Sequence, residues 1–255
     1  GCATPSTHLE SHILVRTRFE RPMNFAVLRA PPRDNVDPAS LPVVVLLHGM
    51  GDDHLALDQH EVSQFLLDAM SAGRIPLAHF ILPDGERGFY VNWADGKHPY
   101  EDHIILDVVR LAEDVLAVSP TRENRHIVGF SMGGQGAIRL ALTYPDRFAS
   151  ATAFSTLIIN EKEAEKLLSS AFMRWLINAD DIWGRNRDAQ HARRMDPFQL
   201  LPLAAAQYTQ RFYLGSGTDE SREFHRTMNH FKAALDRHEV ESRYVRYEGG
   251  HGWRW

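Results

Sequence analysis

Apolar residues along the chain fall into short runs separated by longer stretches in which they recur every three or four positions. Eight runs read as strands: 13–15, 25–28, 43–47, 77–82, 126–130, 149–154, 211–214 and 243–247. The third, fifth and sixth lack polar alternation, as expected of central parallel strands covered on both faces. The first two alternate, which suits an antiparallel edge. From Glu101 to Val118, Ile104, Ile105, Val108, Leu111, Ala112 and Val115 predict one face of a helix, a second helix begins at Met132, and a third runs from about Ser221 to Arg237. Strands that alternate with helices imply right-handed βαβ crossovers and a mostly parallel, eight-stranded, doubly wound α/β sheet. The interval from Leu157 to about Gln207 breaks that rhythm with two or three helical segments where one crossover would do. It is read as a helical cap inserted after strand six in a single domain covering residues 1–255.

Composition adds exclusions. The 255 residues carry a net charge of -5, and no Lys/Arg block is present to neutralise a phosphate backbone, so nucleic acid is not an expected partner. No apolar run approaches the roughly 18–20 residues that span a bilayer. Cys2 is the only cysteine, so no intramolecular disulfide forms. Gly1-Cys2, followed by Ala3-Thr4-Pro5-Ser6-Thr7, resembles the cleavage site of a bacterial lipoprotein. An acylated Cys2 would mean a membrane tether in the cell envelope. A terminus of no significance would leave a cytoplasmic protein.

The sharpest local signal is Gly129-Phe130-Ser131-Met132-Gly133-Gly134, a G-x-S-x-G between an apolar strand and a helix. A serine on so tight a turn takes a strained backbone conformation, and larger neighbours would clash. Ser131 is therefore the candidate nucleophile, and the N–H of Met132 the first oxyanion donor. In this chain order the base comes last. His251, in the glycine-rich 249–252 loop, is the histidine that follows the last strand. The orienting acid belongs after the seventh strand, where Asp219 and Glu220 are adjacent; the template's preference for Asp favours Asp219, with Glu220 as the alternative. The second oxyanion donor belongs to the loop at His48-Gly49-Met50-Gly51. Leu167, Leu168, Phe172, Met173, Trp175 and Leu176 form an apolar helix face, and Phe172 and Trp175, with Trp183 and Trp253, are candidates for a substrate pocket. His98 and His103 beside Glu101 and Asp102, and Asp52, Asp53 and His54, match no metal-ligand spacing, so neither metal nor cofactor is expected.

Taken together, Leu46-Leu47-His48-Gly49, Tyr100-Glu101-Asp102, the Ser131 motif, Asp196-Pro197-Phe198, Gly217-Thr218-Asp219 and Gly249-Gly250-His251-Gly252-Trp253 resemble the putative-esterase family. That family holds S-formylglutathione hydrolases, feruloyl and siderophore esterases and antigen 85-type mycolyltransferases. The resemblance runs from about Val43 to the end. It implies an α/β-hydrolase fold, a small-molecule ester as substrate, and Met50 as the second oxyanion donor, with Gly51 as the alternative. Many relatives carry one more residue between Gly-Thr and the acid, a register that selects Glu220. The expectation is a serine carboxylic ester hydrolase acting through an acyl-enzyme on a small or medium acyl or aromatic ester. The alternatives are an acyltransferase with the same triad and a catalytically silent binding protein on the same fold.

Overall fold

A computed structural model describes residues 8–158, 160–177, 179–184 and 195–253 of the chain. Its centre is one eight-stranded sheet, β1 (Glu10–Leu14), β2 (Met23–Leu28), β3 (Val43–Leu47), β4 (His79–Pro83), β5 (Arg125–Phe130), β6 (Ser150–Phe154), β7 (Arg211–Gly217) and β8 (Ser242–Tyr247), in the order β1-β2-β4-β3-β5-β6-β7-β8. β1 and β2 are antiparallel to their neighbours, with β2 buried on both faces rather than alternating, and β3 to β8 are parallel to one another. This is the α/β-hydrolase fold. Cys2 lies outside the described residues.

Ten described α-helices connect or flank these strands: α1 (Ala56–Gln59), α2 (Val62–Ser71), α3 (Tyr100–Asp102), α4 (Val109–Leu116), α5 (Met132–Thr143), α6 (Glu161–Leu168), α7 (Ala171–Leu176), α8 (Ala179–Trp183), α9 (Pro197–Ala205) and α10 (Arg222–Arg237). One sheet face buries Val45, Leu47, Ile127, Ala151, Ala153 and Leu214 in a core shared with α4, α5, α9 and α10. On the other face, α2 covers Leu46, Phe80 and Leu82 through Met70 and Leu66. Burying a side chain of this size contributes about 1.5–3 kcal/mol, so these two layers carry most of the favourable energy of folding.

Two sequence expectations change in detail. The helix expected from Glu101 to Val118 is interrupted by π turns over His103–Val108. The wider turns shift the phase of the apolar stripe, and Leu111, expected on its buried face, is 36% exposed. Of the interval after β6, α9 packs on α5 and α10 as an ordinary crossover helix. Its start is fixed by the buried Asp196, whose carboxylate accepts from the N–H groups of Phe198 at 2.8 Å and Glu161 at 3.0 Å. Asp196 thus caps one helix and ties down the entry to α6.

Candidate active site

The parallel register aligns the strand ends that carry the candidate residues. Leu47 pairs with Gly129, Phe130 with Phe154, Phe154 with Gly215, and Gly217 with Tyr247. The loops that follow β3, β5, β7 and β8 therefore open on one edge, at the carboxyl ends of the strands, where open α/β sheets place their sites.

Ser131 sits between β5 and α5 with φ 54° and ψ -118°, a conformation that costs a non-glycine residue about 1–3 kcal/mol. It is over-determined by its surroundings: its N–H donates to Phe154 O at 2.8 Å, and its carbonyl accepts from Gly134 N at 2.9 Å. The flanking glycines are required by close backbone approach. A Cβ on Gly129 would lie 2.0 Å from Gly133 O, and one on Gly133 would lie 2.1 Å from Leu47 O.

Around Ser131 the structure assembles an unbroken relay. His251 Nε2 lies 3.0 Å from Ser131 Oγ, and His251 Nδ1 lies 2.8 Å from Glu220 Oε1. The second Glu220 oxygen accepts from Gly217 N at 3.2 Å, and the Glu220 side chain is 1% exposed. Asp219, the acid preferred from sequence, does not occupy this place. It is exposed, and its carboxylate meets Thr218 Oγ1 at 3.3 Å. The backbone causes the difference: Thr218 N donates to Tyr247 O and Asp219 N to Gly249 O, which aligns the β7 loop with the His251 loop and directs the next side chain, Glu220, inward. Beneath them Ser155 Oγ and Tyr247 Oη are 2.8 Å apart. Burial, reinforced by the Glu220 charge, pushes the Tyr247 phenol up to about 12, so it stays neutral beside the carboxylate.

The loop after β3 is held by the buried His48, to which the sequence assigned no role of its own. His48 Nε2 accepts from Gly85 N at 2.9 Å while Nδ1 faces Gly49 O at 2.8 Å, an arrangement that fits a neutral ring protonated on Nδ1. Tyr90 Oη donates to His48 O at 2.8 Å. Met50, the expected second oxyanion donor, and Gly51 follow directly on this anchored segment, while Met132 follows Ser131 at the start of α5. The Tyr100-Glu101-Asp102 motif is also structural. Glu101 accepts from buried Arg139 at 2.7 Å and from Tyr144 Oη at 2.8 Å, joining α3 to α5.

Of the four expected pocket residues, the side chains of Trp253 and Trp175 are described. Trp253 lines an apolar cavity of about 580 Å³ with Leu46, Leu66, Phe80, Phe130 and Phe154, on the α2 face of the sheet, and Ser131 is not part of its wall. Trp175, on α7, is 74% exposed. The side chains of Phe172 and Trp183 lie outside the described residues. Of the histidines weighed as metal ligands, His98 Nδ1 pairs with Asp95 at 2.6 Å, His54 Nε2 with Ser11 Oγ at 3.0 Å and His103 Nδ1 with Asp107 at 3.3 Å.

Comparison with known proteins agrees with this architecture. Residues 17–255 match the family model described as putative esterase. An acetyl esterase of Caldicellulosiruptor saccharolyticus is 29% identical over 130 residues, 51% of this chain and 47% of that protein, so the chain matches about half the length of this curated relative. Among solved structures, FphF, a fluorophosphonate-binding serine hydrolase of Staphylococcus aureus, superposes with a TM-score of 0.77 at 22% identity, over 96% of this chain and 91% of that one. An S-formylglutathione hydrolase from the same organism gives 0.73 at 22% identity, over 96% and 92%. At that identity the likeness concerns the fold.

Proposed function

We propose that this chain, which belongs to the putative-esterase family, hydrolyses carboxylic esters of small or medium acyl or aromatic groups through a Ser131 acyl-enzyme. The observation that carries the reading is the relay Glu220–His251–Ser131, with contacts of 2.8 and 3.0 Å ending on a serine in a strained strand-to-helix turn. Ser131 Oγ attacks the ester carbonyl as His251 Nε2 takes its proton. The imidazolium then carries a proton on each nitrogen, and the one on Nδ1 points at Glu220, which stabilises the positive charge. The carbonyl oxygen becomes an oxyanion that the N–H groups of Met132 and Met50 would hold. His251 returns its proton to the leaving alcohol, and water repeats the sequence on the acyl-enzyme to release the acid.

The test is covalent. A fluorophosphonate should label Ser131, identified by peptide mass, and nitrophenyl acetate should be the first substrate tried, because the curated relative is named an acetyl esterase. A nitrophenyl series of rising acyl length then measures acyl preference. An unlabelled Ser131 in a protein that still cleaves the esters would refute the assignment.

A further inference from the structure

The His251 loop has little intrinsic rigidity. Gly249 stands at φ 125°, and glycines restrict their own backbone least, so the path of the loop depends on what holds it at either end. On the side preceding His251 it is tied to the acid loop, because Asp219 N donates to Gly249 O at 2.9 Å. On the other side it is tied by a different residue. Trp253, two positions after His251, donates its indole N–H to Asp52 Oδ2 at 3.0 Å, across 201 positions of sequence. Asp52 belongs to the loop after β3, where its own N–H donates to Gly49 O at 3.2 Å, bracketing Met50. Its second oxygen lies 3.0 Å from His60 Nε2, and the His60 ring stacks on Trp253 at 5.6 Å. The Trp253 ring also packs on Phe130 at 4.8 Å, and Phe130 touches His251 at 5.0 Å.

We propose that Asp52 is a positioning residue that locks the general-base loop to the oxyanion loop, so that His251 and the Met50 N–H keep a fixed separation about Ser131. This rests on the triad reading above and adds a residue to it. An ionised acceptor suits the role, since a hydrogen bond to a charged group is about twice as strong as a neutral one. The cost of losing it is catalytic because a misplacement of about 1 Å can lower a rate by about 10²-fold.

The experiment is a double-mutant cycle on the full chain with nitrophenyl acetate, using Asp52→Leu, Trp253→Phe and the pair. Trp253→Phe keeps a ring against Phe130 and deletes the donor together with part of the indole surface. Each single variant should lower kcat by about tenfold with KM within twofold, slow fluorophosphonate labelling in parallel, and leave Tm within about 2 °C. The pair should be no slower than the worse single variant, and Asp52→Asn, which keeps an acceptor oxygen, should recover to within about threefold of wild type. Additive losses, an unchanged kcat, an Asn variant as poor as Leu, or losses that follow a fall in Tm would each overturn the proposal. If the triad reading itself is at fault, Ser131→Ala stays active; if only this inference is at fault, Ser131→Ala is dead while the Asp52 variants retain full kcat.

Discussion

Glu220 Oε1 lies 2.8 Å from His251 Nδ1, whereas the carboxylate next to it in sequence, Asp219, bonds Thr218 instead. The difference separates two otherwise equivalent acids. Glu220→Gln keeps the shape but no longer offsets the imidazolium charge and can support the wrong tautomer, so kcat on nitrophenyl acetate should fall by about 10⁴. Asp219→Asn should stay within about threefold of wild type. A large loss confined to Asp219→Asn would move the acid back to the neighbouring position.

Ser131→Ala should lower kcat by about 10⁴–10⁶ and abolish fluorophosphonate labelling. The strained backbone at φ 54° adds a comparison that concerns stability alone. Glycine enters this region without a Cβ penalty, so Ser131→Gly should be at least as stable as Ser131→Ala, although glycine ordinarily costs about 0.5–1 kcal/mol relative to alanine. Urea midpoints of the two inactive variants would check it, and a clearly less stable glycine variant would argue against strain at the turn.

What the sequence made visible was whatever depends on neighbours in the chain. Run length located all eight strands, although β1 spans Glu10–Leu14 rather than 13–15 and β2 does not alternate, and G-x-S-x-G in its strand-to-helix context located Ser131. Between Asp219 and Glu220 the residue type favoured Asp219 and the family register Glu220, and the conflict is resolved by two backbone hydrogen bonds from the β7 loop to Tyr247 and Gly249. Asp52 and Trp253 are 201 positions apart, and neither residue type announces the other. His48 was read as part of a glycine-bearing loop; its partner, Gly85 N, is contributed by a distant turn. The π turns at His103–Val108 change the phase of a stripe that a period of 3.6 fits equally well on paper.

The glycines of the Ser131 motif yield a graded prediction. In Gly133→Ala the new methyl would stand 2.1 Å from the backbone oxygen of Leu47, which cannot rotate aside, so α5 or β3 must move. Overpacking of this kind typically costs about 1–3 kcal/mol, and because the shift would be felt at the His48 loop, kcat should fall with stability. At Gly134 the Cβ would stand 2.9 Å from Thr156 Cβ and 3.2 Å from the backbone oxygen of Gly129, a shallower overlap, and Gly134→Ala should be the milder lesion. Equal losses in Tm and kcat for the two would show that the backbone approach at Gly133 is not the constraint.

Stability should also depend on pH through histidines that the proposed chemistry does not use. Burial lowers the pKa of His79, His103 and His126 below the ordinary 6.5, with nearby Arg211 acting in the same direction on His126. His103 is fully buried and its Nε2 has no hydrogen-bond partner among the described residues; His79 Nδ1 accepts from Ala30 N at 3.1 Å, a bond that protonation would break. As pH falls below about 6.5 the unfolded chain binds protons that these native side chains refuse, so it binds more protons than the folded state and the free energy of unfolding must fall with pH. The stabilising contribution is complete above the unfolded value and is lost on acidification through the window between that value and the lower folded ones. Tm should therefore be level above pH 7 and decline from pH 6.5 to 5.5, before most carboxylates titrate. His103→Leu, which cannot take up a proton, should flatten this slope even if its Tm at pH 7.5 is lower. A Tm that holds constant or rises over that interval would rule the account out.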